Sequence, residues 1–188
     1  MRLWLARHAA VVRHAAVVRQ DGICYGRLDL VADDALTQEA ALHLHRTLPP
    51  GVAVRRSPAR RCRQLASALA SLRPGLAVAV DPDLQEMDFG QWEGRSWDDI
   101  GEPAMSAWTR DFASHRPGGG ESVQQLLGRV RRAMERERDG DDALWITHAG
   151  VIRAARLLLS GVRVVERADQ WPRDEVPFGG VECHSLGD

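Results

Sequence analysis

The stretch RLWLARH, Arg2 to His8, joins a short apolar run to an Arg-His pair. An apolar run of this length reads as a buried strand, and its carboxyl end then carries the pair. A second apolar run that leads into a histidine lies far along the chain: Ala143 to Thr147 (ALWIT) precedes His148. Between the two, strands and helices alternate. Apolar residues recur at helical spacing from Thr37 to Leu48, and Pro49-Pro50 stops that element. Val52 to Arg56 reads as a strand, Arg60 to Leu72 as a helix closed by Pro74-Gly75, and Leu76 to Val80 as a strand. Ser122 to Arg138 reads as a long helix with Ser122 as its cap. Val151 to Leu159 reads as a further helix and Val181 to Leu186 as a last strand.

Strands separated by helices predict an α/β fold, a three-layer α/β/α sandwich with a mostly parallel sheet. Ligands of such sheets bind outside the carboxyl ends of the strands. Arg7-His8, Ser57-Pro58 and His148 all fall at such ends, so the pattern predicts that they meet.

Length and composition bound the function. A chain of 188 residues suffices for one domain with a sizeable core, and no composition break argues for two. All 25 basic residues are Arg, with neither Lys nor Asn present, which excludes a P-loop lysine and a Schiff-base lysine on this chain. Acidic residues balance the arginines to a net charge of −1, and no basic stripe points to nucleic acid. No apolar run reaches the length of a membrane span, and no signal peptide is expected. Cys24, Cys62 and Cys183 form no CxxC pair, so neither a zinc site nor a disulfide framework is indicated, and free thiols fit a cytoplasmic setting.

A neutral imidazole at a strand end can act as a nucleophile. His148 sits in WITHAG (Trp145 to Gly150), where a helix start would favour an anion. SPARR (Ser57 to Arg61) supplies guanidinium groups that grip phosphate. Glu86, in LQEMDFG (Leu84 to Gly90), is a possible general acid.

Taken together, in chain order, these segments resemble the histidine phosphatase superfamily, the phosphoglycerate-mutase-like fold. Leu5-Ala-Arg-His8 is similar to the N-terminal catalytic motif, Gly22-Ile-Cys-Tyr-Gly26 with Asp29 and Leu36-Thr37 to the loop and helix start that follow it, and Ser57-Pro-Ala-Arg-Arg-Cys62 to the second-arginine motif. Glu86 with Phe89-Gly90 and Trp92-Glu-Gly94 resembles the acid-bearing segment, and Gly119-Gly-Glu-Ser122 and Thr147-His-Ala-Gly150 complete the set.

The resemblance implies a single domain over residues 1–188 with a lid-like segment at about 87–121. It implies His8 as nucleophile, Glu86 as acid, and Arg7, Arg61 and His148 as phosphate-binding groups; the spacing from Ser57 selects Arg61 over Arg60. No metal or other cofactor is implied, because Arg and His supply the positive charge. The expected partner is a small phosphomonoester, with neither nucleic acid nor membrane. The Gly22–Gly26 loop, Gly119–Ser122 and Trp171-Pro-Arg173 are most similar to the α-ribazole phosphatase branch of the cobalamin pathway. A broad-specificity phosphatase, a phosphoglycerate-mutase-like enzyme and a non-catalytic phospho-ligand module remain the alternatives.

Two features depart from the family pattern. Ala9 stands where Gly often follows the nucleophile. RHAAVV at Arg7–Val12 repeats at Arg13–Val18, which creates a second Arg-His pair. His14 has the more usual distance to the Gly22 motif, but His8 has the apolar strand before it, and the reading favours His8. Two other chemistries fit less well. The DxD of Asp81-Pro-Asp83 lacks the Thr or Val expected two residues on, where Gln85 stands; no Cys is followed by Arg six positions later. His43 and His45 lie two apart on a helix and face different ways.

Overall fold

The computed structural model describes residues 1–12, 22–137 and 140–186. They form a five-stranded sheet in the order β3-β2-β4-β1-β5. The strands are β1 (Arg2–Arg7), β2 (Ala53–Arg56), β3 (Val78–Val80), β4 (Ala143–Thr147) and β5 (Val181–Ser185). β1 pairs in parallel with β4, and β2 with both β4 and β3. β5 runs antiparallel along β1. The expected mostly parallel α/β sandwich is the fold found.

Alternation along the strands sorts side chains into two cores. Leu3, Leu5 and Trp145 face one way, onto Leu126, Val130 and Ala133 of α5 (Val123–Glu137) and Val151, Ile152 and Ala155 of α6 (Ala149–Leu159). Ala6, Val54, Leu144 and Ile146 face the other, onto Ala41 and Leu44 of α1 (Asp34–Thr47) and Cys62, Leu65 and Leu69 of α2 (Arg60–Leu72). Both layers bury apolar area at roughly 25 cal/mol per Å², which fixes the register of the central strands.

Element edges shift where capping outweighs the apolar pattern. α1 starts at Asp34 rather than Thr37, because the Asp33 carboxylate accepts the Leu36 amide at 3.0 Å. α6 starts at Ala149, directly after His148. The segment between β3 and α5 holds two helices absent from the sequence reading, α3 (Trp97–Ile100) and α4 (Glu102–Arg110). They enclose a third apolar cluster around Cys24, Trp92 and Ile100.

That segment is locked at its root by the triple glycine. A Cβ on Gly118 would lie 2.1 Å from the Phe89 carbonyl, and one on Gly120 would lie 2.1 Å from that of Asp88. Glu121 then pairs through both carboxylate oxygens with the buried Arg129, at 2.7 and 2.9 Å, and Arg129 donates to the Asp83 carbonyl. Gly118, Gly120 and Glu121 therefore pin the backbone at Asp88 and Phe89, just after Glu86.

Candidate active site

β1 and β4 are adjacent and parallel, and their registered ends are Arg7 and Thr147. The next residues, His8 and His148, therefore emerge side by side with ring centroids 5.1 Å apart. Both are buried, at 2% and 0% exposure. β2 ends beside β4, and Ser57 after it meets the Nε2 of His148 at 2.8 Å. Arg61, in the first turn of α2, reaches under the same point and is fully buried.

The ring atoms of His8 are differentiated by their partners. Nδ1 lies 2.7 Å from the Ala9 carbonyl oxygen, which can only accept, so Nδ1 carries the proton. Nε2 is then the lone-pair nitrogen, and Arg61 Nε donates to it at 3.2 Å. Burial and then the Arg61 charge push the His8 pKa down to about 3. Burial and the same guanidinium also hold His148 neutral, well below the ordinary histidine range. The Nδ1 of His148 has no partner among the described residues.

Arg61 is held by the loop after β1. Its Nη1 and Nη2 donate to the carbonyls of Leu28 and Gly26, each at 2.7 Å. A Cβ on Gly26 would lie 1.8 Å from the Met87 carbonyl, so only glycine lets this loop pass the acid-bearing segment.

Arg7 is organised from the far end of the chain. It donates from Nη1 to the Val176 carbonyl at 2.9 Å and to Glu175 at 3.1 Å. Phe178 lies over its guanidinium at 3.8 Å and touches the His8 ring at a centroid distance of 5.6 Å. Glu86 docks on the start of α6, where the Gly150 amide donates to Oε2 at 3.1 Å. A Cβ at position 150 would lie 2.3 Å from Oε1. The His148 side chain makes no capping bond to α6, so this amide is left for the carboxylate.

Thus His8, His148 and Arg61 are in direct contact, Arg7 is joined to His8 across Phe178, and Glu86 is held by the amide of Gly150, the second residue after His148. The duplicated Arg13-His14 lies outside the described residues. Sequence reasoning missed Glu175, Val176 and Phe178, which carry no motif, and gave Ser57 no role.

Beside Glu86 opens a cavity of about 360 Å³ whose walls include Phe89, Trp97, Trp108, Phe112 and Trp171. Arg153 is the one cation among its lining residues. A larger groove runs past Pro50 to Val54 at the amino end of β2 and holds none of these groups. No group of His, Cys, Asp or Glu able to hold a metal occurs among the described residues, and no described helix is long and apolar enough to cross a membrane.

Residues 3–173 match the family model of the histidine phosphatase superfamily, branch 1. The chain belongs to that superfamily. It is 34% identical over 164 residues to the adenosylcobalamin/α-ribazole phosphatase of Escherichia coli, covering 81% of this chain and 75% of that one. It is 32% identical over 137 residues to a metal-independent phosphoserine phosphatase of Arabidopsis thaliana, covering 63% of this chain and 58% of the relative. The crystal structure of the α-ribazole phosphatase from Shigella flexneri superposes with a TM-score of 0.79 at 29% identity, covering 100% of this chain and 91% of that chain. The chain spans less than two thirds of the length of the Arabidopsis relatives that it matches, at 58% and 60%.

Proposed function

We propose that this superfamily member is a phosphomonoesterase that passes phosphate through His8 to water. The observation that carries the reading is the state of His8: buried, neutral, with Nδ1–H tied to a carbonyl and Nε2 left as a lone pair between Arg61 and His148. Nε2 attacks phosphorus and forms the N–P bond as the ester P–O bond breaks. Glu86 gives its proton to the leaving oxygen. In the second half, Glu86 takes a proton from water, the water oxygen attacks phosphorus, and the N–P bond breaks to return the lone pair to Nε2.

Arg7, Arg61 and His148 balance the charge on the equatorial oxygens, which needs their N–H groups to exchange present partners for phosphate oxygens. For Arg61 this means releasing Nε2 of His8. His148 donates from whichever ring nitrogen carries its proton, and its Nδ1, which no described residue bonds, is the atom to meet a ligand.

The substrate we propose is α-ribazole 5′-phosphate, with residues 1–188 acting as one domain and residues 87–121 as the lid. The aromatic walls beside Glu86 suit a flat apolar leaving group, and the similarity to α-ribazole phosphatases supports the choice. Base stacking on an aromatic ring contributes roughly 1–3 kcal/mol. Side-by-side kinetics in EDTA test this. Higher kcat/KM for α-ribazole 5′-phosphate than for 3-phosphoglycerate or phosphoserine is expected, with no mutase activity; the reverse order would sink the substrate assignment.

A further inference from the structure

Two cationic side chains share one carboxylate at the border between the phosphate site and the aromatic cavity. Glu175 accepts from Arg7 on one oxygen and from Arg153 on the other. The trio therefore carries one uncompensated positive charge. Arg153 lies three residues after Gly150 on α6, so it shares a helix face with the amide that holds Glu86. Ala149, Gly150 and Arg153 together form one wall of the cavity. Beyond Arg153 and Glu86, that cavity is lined by aromatic and aliphatic groups.

Arg153 is underused by the protein. Among the described residues, one bond to Glu175 is made by its five N–H donors, and its Nε is buried without a partner. The Nε is closed off, but the side chain as a whole is partly exposed, so an occupant that presents oxygen lone pairs to the Nη groups gains charge-assisted hydrogen bonds that an apolar one does not. An apolar ring offers the remaining N–H groups no acceptor, and neither does a bare aryl leaving group. The occupant that fits both features has a flat ring for the aromatic walls. Between ring and ester it carries oxygen acceptors, close to the phosphate because Arg153 is tied through Glu175 to Arg7.

We propose that Arg153 is a specificity-determining residue that donates to the sugar hydroxyl oxygens of a ribosylated heteroaromatic 5′-phosphate. The inference deepens the substrate reading above and rests on it. Glu175 is a positioning residue in this arrangement, because it holds the two guanidinium groups at a fixed separation.

The test is a cycle between residue and substrate. A benzimidazole riboside 5′-phosphate and its 2′,3′-dideoxy counterpart are assayed with wild type, Arg153→Met and Arg153→Lys, with 3-phosphoglycerate as reference. Wild type should prefer the riboside over the dideoxy ester by roughly 10- to 100-fold in kcat/KM, the range of a charge-assisted hydrogen bond. Arg153→Met should bring that ratio to within about 2-fold of unity by raising the riboside KM. Arg153→Lys keeps charge and donors without the planar fork and should retain part of the preference. A purely structural role through Glu175 and Arg7 would slow both esters equally; that result, or a preference that survives in Arg153→Met, overturns the inference and leaves the substrate reading intact. A wild-type enzyme that favours 3-phosphoglycerate over the riboside overturns both.

Discussion

A histidine in water near neutral pH spends part of its time protonated, and a protonated imidazole has no lone pair to offer phosphorus. His8 avoids this by burial beside Arg61, which holds its pKa down to about 3. Its side-chain ¹⁵N shifts should therefore stay those of a neutral Nδ1–H imidazole as pH falls from 8 to 5. A titration with a midpoint near 6.5 would contradict the assignment. In the proposed mechanism Glu86 has a different task, which depends on the leaving group. Glu86→Gln should slow alkyl phosphates about 10²–10⁴-fold while nitrophenyl phosphate loses far less, because nitrophenolate leaves without a proton. Equal losses on both would give Glu86 another role and turn attention to Asp88.

At the scale of elements, the start of α6 does two things at once. His148 precedes it, and the amide of Gly150 receives Glu86. Gly150→Ala places a methyl 2.3 Å from a carboxylate oxygen. The side-chain end can swing away, so stability should change by less than about 1 kcal/mol, whereas the proposed acid leaves its post. The variant should copy the leaving-group dependence of Glu86→Gln; unchanged alkyl-phosphate turnover with an unchanged melting temperature would refute the docking role.

What could be read in the sequence here follows from topology. Parallel strands with helical crossovers bring their carboxyl ends together, so His8, Ser57 and His148 were legible as neighbours from the pattern, while Arg61 was picked out by the family resemblance. The contacts of Arg7 were not. Its partners Glu175, Val176 and Phe178 arrive on an irregular segment before β5, about the whole chain away, and no periodicity marks them. The helices α3 and α4 were also hidden, because their aromatic residues pack around a local cluster rather than along a regular stripe.

For the molecule as a whole, the two buried histidines tie the site to the stability of the fold. In the native chain both are neutral, whereas the unfolded chain protonates them near pH 6.5. The unfolded state then binds more protons below that pH. Their contribution is complete above 6.5 and is lost as pH falls, for His8 down to about pH 3. The slope is about 1.4 kcal/mol per pH unit for each histidine. Urea melts at pH 7 and pH 5 should show this loss, and equal stability at the two would contradict neutral burial. Phe89, Trp97, Trp108 and Phe112 share the walls of the cavity beside Glu86 with Trp171, so that cavity is built from segments about 60 residues apart in the chain. The central claim is that phosphate passes through His8. Rapid denaturing quench during turnover, followed by mass spectrometry at neutral to alkaline pH, tests it directly. Trypsin cannot assign the label, because cleavage after Arg7, Arg13 and Arg19 gives the same peptide, HAAVVR, from His8 and from His14. Cleavage at Asp21 with fragment sequencing does distinguish them. The account predicts an acid-labile phosphate on Nε2 of His8 alone, absent in His8→Ala and retained in His14→Ala; label on His14, or an acid-stable label elsewhere, would contradict it.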